Sequence, residues 1–340
     1  MRILLACERS GGHVFPALTI GKKIRNKSNN VYFFVTSSAL KKYIKNEGFY
    51  VLGRSFTFRN LFLELFWRCF EAFYVILKSK PHEVIGFGGR DSFFLVLWSA
   101  LLGLDTKIYE PNLKFGKANR ILSIFVSKML RGFPYEGNNK KNIVIGIPLR
   151  QNIRKIDKSE ARKILNFDNK PVIFCFGGSQ GSVFINDVFI EFVKKFRKDY
   201  QIIHITGKIG CFEIEQFYNT IDNRKFVRSF YYDIGVLYSA ADIVVSRAGA
   251  GTLGEISFYK IPSILIPHPG GGGHQKENAS YFAEREVANM YMQNTFCYQN
   301  FNIYLRKIIC DEDLRNSMSR NFNRIKLGVG YEDFCKDNRF

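Results

Sequence analysis

What most constrains the fold is a unit that recurs: a short apolar run ends in a glycine turn, and a helical pattern follows at once. It appears at Ile3-Leu4-Leu5-Ala6-Cys7 before Gly11-Gly12, and at Val84-Ile85 before Gly86-Phe87-Gly88-Gly89. It returns at Val172-Ile173-Phe174-Cys175-Phe176 before Gly177-Gly178, and at Ile243-Val244-Val245-Ser246 before Gly249-Ala250-Gly251. Apolar runs that do not alternate belong to strands covered on both faces, as in parallel sheets flanked by helices. Ligands of such sheets gather outside the carboxyl ends of the strands. The alternation breaks once, in the charged connection from Ile153 to Asn169, and then restarts. The expected class is therefore α/β, with two doubly wound Rossmann-like domains facing across a cleft. Their expected bounds are residues 1–150 and 151–321, with a tail at about 322–340 packing back on the first.

The richest stretch runs from Ala241 to Ala279. A helix that starts after glycines presents unpaired N–H groups and the positive end of its dipole, which suits a phosphate. Glu255, early in that helix, is acceptor-only when ionised and could take the two vicinal hydroxyls of a ribose. Gln275 and Asn278 are three residues apart, so on a helix they share a face and could offer amides to a sugar. His13 follows the first strand, where a site of this fold class lies, and histidine titrates close enough to neutrality to serve as a general base. The same position also suits an ordinary cap or packed ring. No glycine turn combines the dinucleotide spacing G-x-G-x-x-G with its matching acid, and none carries the P-loop lysine.

Composition narrows the partners. With 50 basic and 30 acidic residues the formal charge is +20, which favours a phosphorylated substrate or an acidic membrane. Nucleic acid is disfavoured, because the aromatics lie in apolar runs rather than among basic residues on a strand face. The seven cysteines include no C-x-x-C pair, so a reducing compartment is expected and a zinc site is not. The first apolar run is short and passes into a turn, so it reads as a strand rather than a leader, and no run of about 20 apolar residues predicts a transmembrane helix. Arg59 to Lys80 crowds aromatic and aliphatic residues around one helix, interrupted by Glu64, Arg68 and Glu71. That is more apolar surface than one core face uses, and it fits an interfacial helix on an anionic membrane. A crossover helix buried on two sides competes with that reading.

In order along the chain, Ser10-Gly11-Gly12-His13-Val14-Phe15-Pro16-Ala17, Gly86-Phe87-Gly88-Gly89, Gly177-Gly178-Ser179-Gln180-Gly181, Arg247 to Glu255 and His274-Gln275-x-x-Asn278-Ala279 resemble the motifs of the MurG family. The resemblance covers about residues 1–320 and implies a GT-B fold. It implies an inverting, metal-independent hexosyltransferase without a cofactor, moving GlcNAc from UDP-GlcNAc to undecaprenyl-diphosphate-linked MurNAc-pentapeptide in peptidoglycan synthesis. The place implied is peripheral, on the cytoplasmic face of the bacterial inner membrane. By motif position, Ser179 with Ala250, Gly251, Thr252, Leu253, Gly254 and Glu255 would hold diphosphate, ribose and sugar. Tyr231 would lie by the uracil, and Gln275 and Asn278 by the sugar or diphosphate. Asn112 and Arg150 would complete the donor site from the first domain. His13 would be the base or would bind the acceptor diphosphate, and Ser10, Gly11, Gly12, Gly88 and Gly89 would form the acceptor-diphosphate loops. Three departures stand out: Glu8-Arg9-Ser10 opens the first glycine loop, Tyr109-Glu110-Pro111-Asn112 replaces the family's H-E-Q-N, and Gly273 replaces an acid. Two alternatives follow: a related transferase with another lipid acceptor, or a UDP-sugar-binding partner of an envelope complex that lacks turnover.

Overall fold

The apolar runs all become strands, and both sheets are parallel throughout. The computed structural model describes residues 1–7, 11–25, 30–55, 60–135, 137–150, 152–178, 181–208 and 211–327. Two compact units divide after Arg150. Of the tail expected at about 322–340, Phe322 and Arg324 stay with the second unit, the Phe322 ring 6.2 Å from Phe282 and Arg324 paired with Glu286, and residues beyond 327 lie outside the described residues.

The first unit holds β1 (Arg2–Ala6), β2 (Asn30–Phe34), β3 (Tyr50–Leu52), β4 (Glu83–Gly86), β5 (Asp105–Glu110), β6 (Lys128–Arg131) and β7 (Asn142–Val144). Its helices are α1 (Gly11–Arg25), α2 (Ser38–Asn46), α3 (Leu61–Ser79), α4 (Arg90–Leu101) and α5 (Lys117–Leu122). The strand order is β3-β2-β1-β4-β5-β6-β7. Side chains of a strand alternate between faces, and β1 shows the consequence. Ile3 and Leu5 join the core under α1 and α2, while Leu4 and Ala6 join the one under α3, α4 and α5. The order reverses between β1 and β4, and at that point the loops after the two strands lie side by side.

In the second unit β8 (Val172–Phe176), β9 (Gln201–Ile205), β10 (Lys225–Arg228), β11 (Ile243–Ser246), β12 (Ser263–Leu265) and β13 (Ala288–Met290) form a sheet of order β10-β9-β8-β11-β12-β13. The helices are α6 (Lys158–Ile164), α7 (Val183–Lys195), α8 (Cys211–Tyr218), α9 (Ile234–Ala240), α10 (Ala250–Tyr259), α11 (His274–Ala283), α12 (Tyr298–Cys310) and α13 (Glu312–Asn321). The switch point lies between β8 and β11, which pair directly. The sequence reading placed no element at α8, β13 or α12. In α12 the apolar period is present in Phe301, Leu305, Ile308 and Ile309, all buried, but β-branched, aromatic and amide residues between them weaken its local helix preference.

Candidate active site

At the switch point of the second unit the backbone folds tightly. A Cβ on Gly177 would lie 2.2 Å from the Ser182 nitrogen, so only glycine permits that turn. Ser182 caps α7, its Oγ accepting from the Ile185 N–H at 3.4 Å. The same Oγ accepts from Arg247 Nη2 at 2.8 Å, while Arg247 Nη1 donates to the carbonyls of Ile266 (3.1 Å) and Pro267 (3.2 Å). One buried guanidinium thus joins the loops after β8, β11 and β12, and its burial pulls its pKa below the ordinary value. The sequence reading quoted Arg247 only as part of a motif; a lone basic residue at the end of an apolar strand is the signal that could have singled it out.

The turn from β11 into α10 behaves differently from the Gly177 turn. A Cβ on Gly249 or Gly251 would meet no heavy atom within 4 Å, and neither residue has a left-handed backbone. Neither packing nor backbone conformation therefore requires glycine there. The open space lies at a helix N-terminus whose first N–H groups lack intrahelical acceptors. The first bond of α10 is Leu253 N–H to Gly249 O at 3.0 Å, which leaves Ala250, Gly251 and Thr252 as the donors free of the helix ladder.

Leu253 uses its N–H inside the helix, and its side chain is fully buried. Asn278 is fully buried as well, and its Nδ2 donates to Ala248 O at 3.3 Å, holding the α10 turn from below. Gln275 also supports that turn. Its Oε1 accepts from the N–H groups of Ala248 (3.2 Å) and His268 (3.0 Å), bridging the loops after β11 and β12. Glu255 is buried in the second turn of α10 and accepts from the Tyr238 hydroxyl at 2.9 Å. Gly254 is buried beside it. Tyr231 is half-buried beyond β10, edge-on to Phe226 at 5.0 Å. Ser179 lies outside the described residues.

In the first unit His13 lies half-buried in the first turn of α1, just after Gly12. Its Nε2 is 3.6 Å from the position a Cβ would take on Gly88. Gly88 and Gly89 both have left-handed φ, +85° and +90°, and lead directly into α4, with Ser92 Oγ donating to Gly88 O at 2.8 Å. The structure therefore brings His13 to the second glycine loop. Buried Glu110 organises the next loop. Its Oε1 accepts from the backbone N–H (3.1 Å) and Nδ2 (3.0 Å) of Asn112, and its Oε2 from Gly116 N–H (2.9 Å) and Asn119 Nδ2 (3.1 Å). The Arg150 guanidinium lies 5.6 Å above the ring of Phe15, two residues after His13. Ser10 lies outside the described residues, as does Arg59.

α3 is built inside out. Three of its four charged residues, Glu64, Arg68 and Glu71, face the protein: Arg68 is 3 % exposed and Glu71 5 %, whereas Phe62 is 82 %, Phe66 74 % and Phe70 61 % exposed. Arg68 Nη1 contacts Glu71 Oε2 at 2.8 Å, and both side chains bond the Arg54 backbone. Asn60 caps the helix, accepting from Phe62 N–H at 2.8 Å. Among the described residues no helix is long and apolar enough to cross a membrane.

Comparison with known proteins agrees with this architecture. Residues 3–131 match the model of the glycosyltransferase family 28 N-terminal domain, and residues 172–329 that of its C-terminal domain. A protein of Thermoanaerobacter sp. is 30% identical over 96% of this chain and 95% of its own length. One from Elusimicrobium minutum is 29% identical over 96% and 95%. Both are named UDP-N-acetylglucosamine--N-acetylmuramyl-(pentapeptide) pyrophosphoryl-undecaprenol N-acetylglucosamine transferase. Among solved structures, Acinetobacter baumannii MurG superposes with a TM-score of 0.82 at 21% identity, covering 98% of each chain, a likeness of GT-B fold. The chain belongs to the MurG family of glycosyltransferases.

Proposed function

We propose that the protein transfers GlcNAc from UDP-GlcNAc to an undecaprenyl-diphosphate-linked MurNAc-pentapeptide, with inversion. The observation that carries the donor half is the unfilled space over Gly249 and Gly251 at the N-terminus of α10. The donor's diphosphate lies there, against the N–H groups of Ala250, Gly251 and Thr252 and the loop after β8. Developing charge on departing UDP is met by these fixed donors, which need no reorganisation as the bond breaks. Glu255 takes the ribose hydroxyls with the acceptor capacity left by Tyr238, and Tyr231 flanks the uracil. Gln275 contacts the sugar through its amide nitrogen, its oxygen being held by the two loops.

The acceptor's diphosphate lies at Gly11, Gly12, Gly88 and Gly89. His13 removes the proton of the acceptor hydroxyl as its oxygen attacks the anomeric carbon and UDP leaves. The exposed aromatic stripe of α3 docks the enzyme on the cytoplasmic face of an anionic membrane, where this acceptor resides, and the basic excess strengthens that attraction. The test is transfer of radiolabel from UDP-GlcNAc into butanol-extractable lipid when the muramyl lipid is supplied, with diacylglycerol as the competing acceptor. Label in the muramyl product supports the reading; UDP binding with no label in either lipid overturns it.

A further inference from the structure

An apolar cavity of about 190 Å³ lies between α3 and α4, lined by Phe66, Cys69, Phe70, Phe73 and Trp98. The two heteroatoms of these side chains meet each other, Trp98 Nε1 donating to Cys69 Sγ at 3.3 Å. The walls therefore offer water no bonding partner, and a dry cavity of roughly this size, about 150 Å³ in a well-studied case, takes up a benzene ring. Phe73 and Trp98 meet edge to face at 5.3 Å, while the exposed rings of Phe66 and Phe70 extend to solvent. Position gives the cavity its meaning. Trp98 lies eight residues into α4, about 12 Å along the axis from the end that follows Gly88 and Gly89. One helix thus carries the acceptor-diphosphate loop at its start and a cavity wall in its third turn. That span is covered by the first few units of an extended prenyl chain.

We propose that this cavity seats the isoprene unit of the acceptor's own chain that lies at the end of that span, while its diphosphate lies at the Gly88–Gly89 loop. The proposal rests on the reading that the acceptor is a polyprenyl diphosphate, and it adds a chain subsite separate from the part of the α3 stripe that docks on the bilayer. Two water-soluble acceptor analogues test it without vesicles, one bearing a short prenyl chain on the diphosphate and one bearing a methyl group. Cys69→Phe fills the cavity, so the ratio of kcat/KM for the prenyl analogue to that for the methyl analogue falls about tenfold, in the range a filled apolar subsite gives. An unchanged ratio overturns the chain seat alone. If the unaltered enzyme binds UDP-GlcNAc and uses neither analogue, the acceptor reading falls and the chain seat with it. Should Cys69→Phe fail to fold, a photoreactive prenyl analogue applied to the unaltered enzyme decides. Adducts within residues 66–73 or at Trp98 support the seat, and adducts confined elsewhere overturn it.

Discussion

Phe62→Ala separates what α3 does for the fold from what it does at a membrane. The ring is 82 % exposed, which on a side chain of about 200 Å² leaves roughly 160 Å² in water. Withdrawing that area into lipid at about 25 cal/mol per Å² contributes about 4 kcal/mol, of which an alanine methyl keeps about 1. The difference, about 3 kcal/mol, predicts a roughly hundredfold weaker partition onto vesicles. Folding should be untouched, because the folded chain already leaves this ring in water and alanine is the better helix former. The Asn60 cap survives too, since it accepts from the backbone of Phe62. Co-sedimentation with vesicles containing anionic lipid measures the first quantity and urea unfolding the second. Unchanged partition would show that the ring does not enter lipid. A stability loss beyond about 1 kcal/mol would show that it packs against protein, and the docking argument would fail with it.

Four further outcomes are expected. Gly251→Val places a side chain in space that holds no protein atom, so unfolding should shift little while the KM for UDP-GlcNAc rises at least about tenfold; calorimetric titration with UDP reads the binding loss directly. His13→Ala should lower kcat by about two to four orders of magnitude with UDP-GlcNAc affinity kept, and collapse of donor affinity would refute the base assignment. His204 is fully buried between Tyr218 and Asn186 and its pKa is lowered from 6.5 to about 3 by desolvation, so the unfolded chain gains its proton first as pH falls; its contribution is whole above about pH 6.5 and about 2 kcal/mol is lost by pH 5, a loss that His204→Gln should remove from urea midpoints compared at the two pH values. Turnover should survive EDTA, because the departing charge is met by N–H donors fixed in the chain, and loss of activity restored by a divalent cation would contradict that mechanism.

The central strands of both sheets were legible because uninterrupted burial on both faces leaves an uninterrupted apolar run, whereas β13, three residues long and partly exposed at the sheet edge, leaves none. The glycine loops were legible for the same local reason. What the sequence could not supply was the division of labour inside a loop. Gln275 and Asn278 share a face of α11 as their spacing requires, but whether an amide meets a ligand or a backbone carbonyl depends on how close α10 approaches, and Ala248 comes close enough to claim Asn278. Leu253 sits in a motif of ligand-binding positions and yet points into the core, because a helix N-terminus offers only its first three N–H groups outward. For α3 the composition announced surplus apolar surface; only the packing tells which face is dry. Glu64, Arg68 and Glu71 looked like interruptions of an apolar helix and turned out to be its inner side.

The inner charges of the two units make a contrast that bears on function. In α3 the buried Arg68 has its counter-charge beside it in Glu71, so its charge is met without anything from outside. Arg247 is also buried, but among the described residues its hydrogen-bond partners are two carbonyls and a hydroxyl, with no carboxylate. It sits where α7 and α10 both begin, and each helix adds the positive end of its dipole. A buried cation without an anion costs stability, and two further partial positive charges raise that cost. The same arrangement becomes favourable once a diphosphate occupies the space over Gly249 and Gly251, because the anion then meets charge already fixed in place. The charge left without a carboxylate at the carboxyl edge of the second sheet thus supports the proposal that the donor's diphosphate lies there.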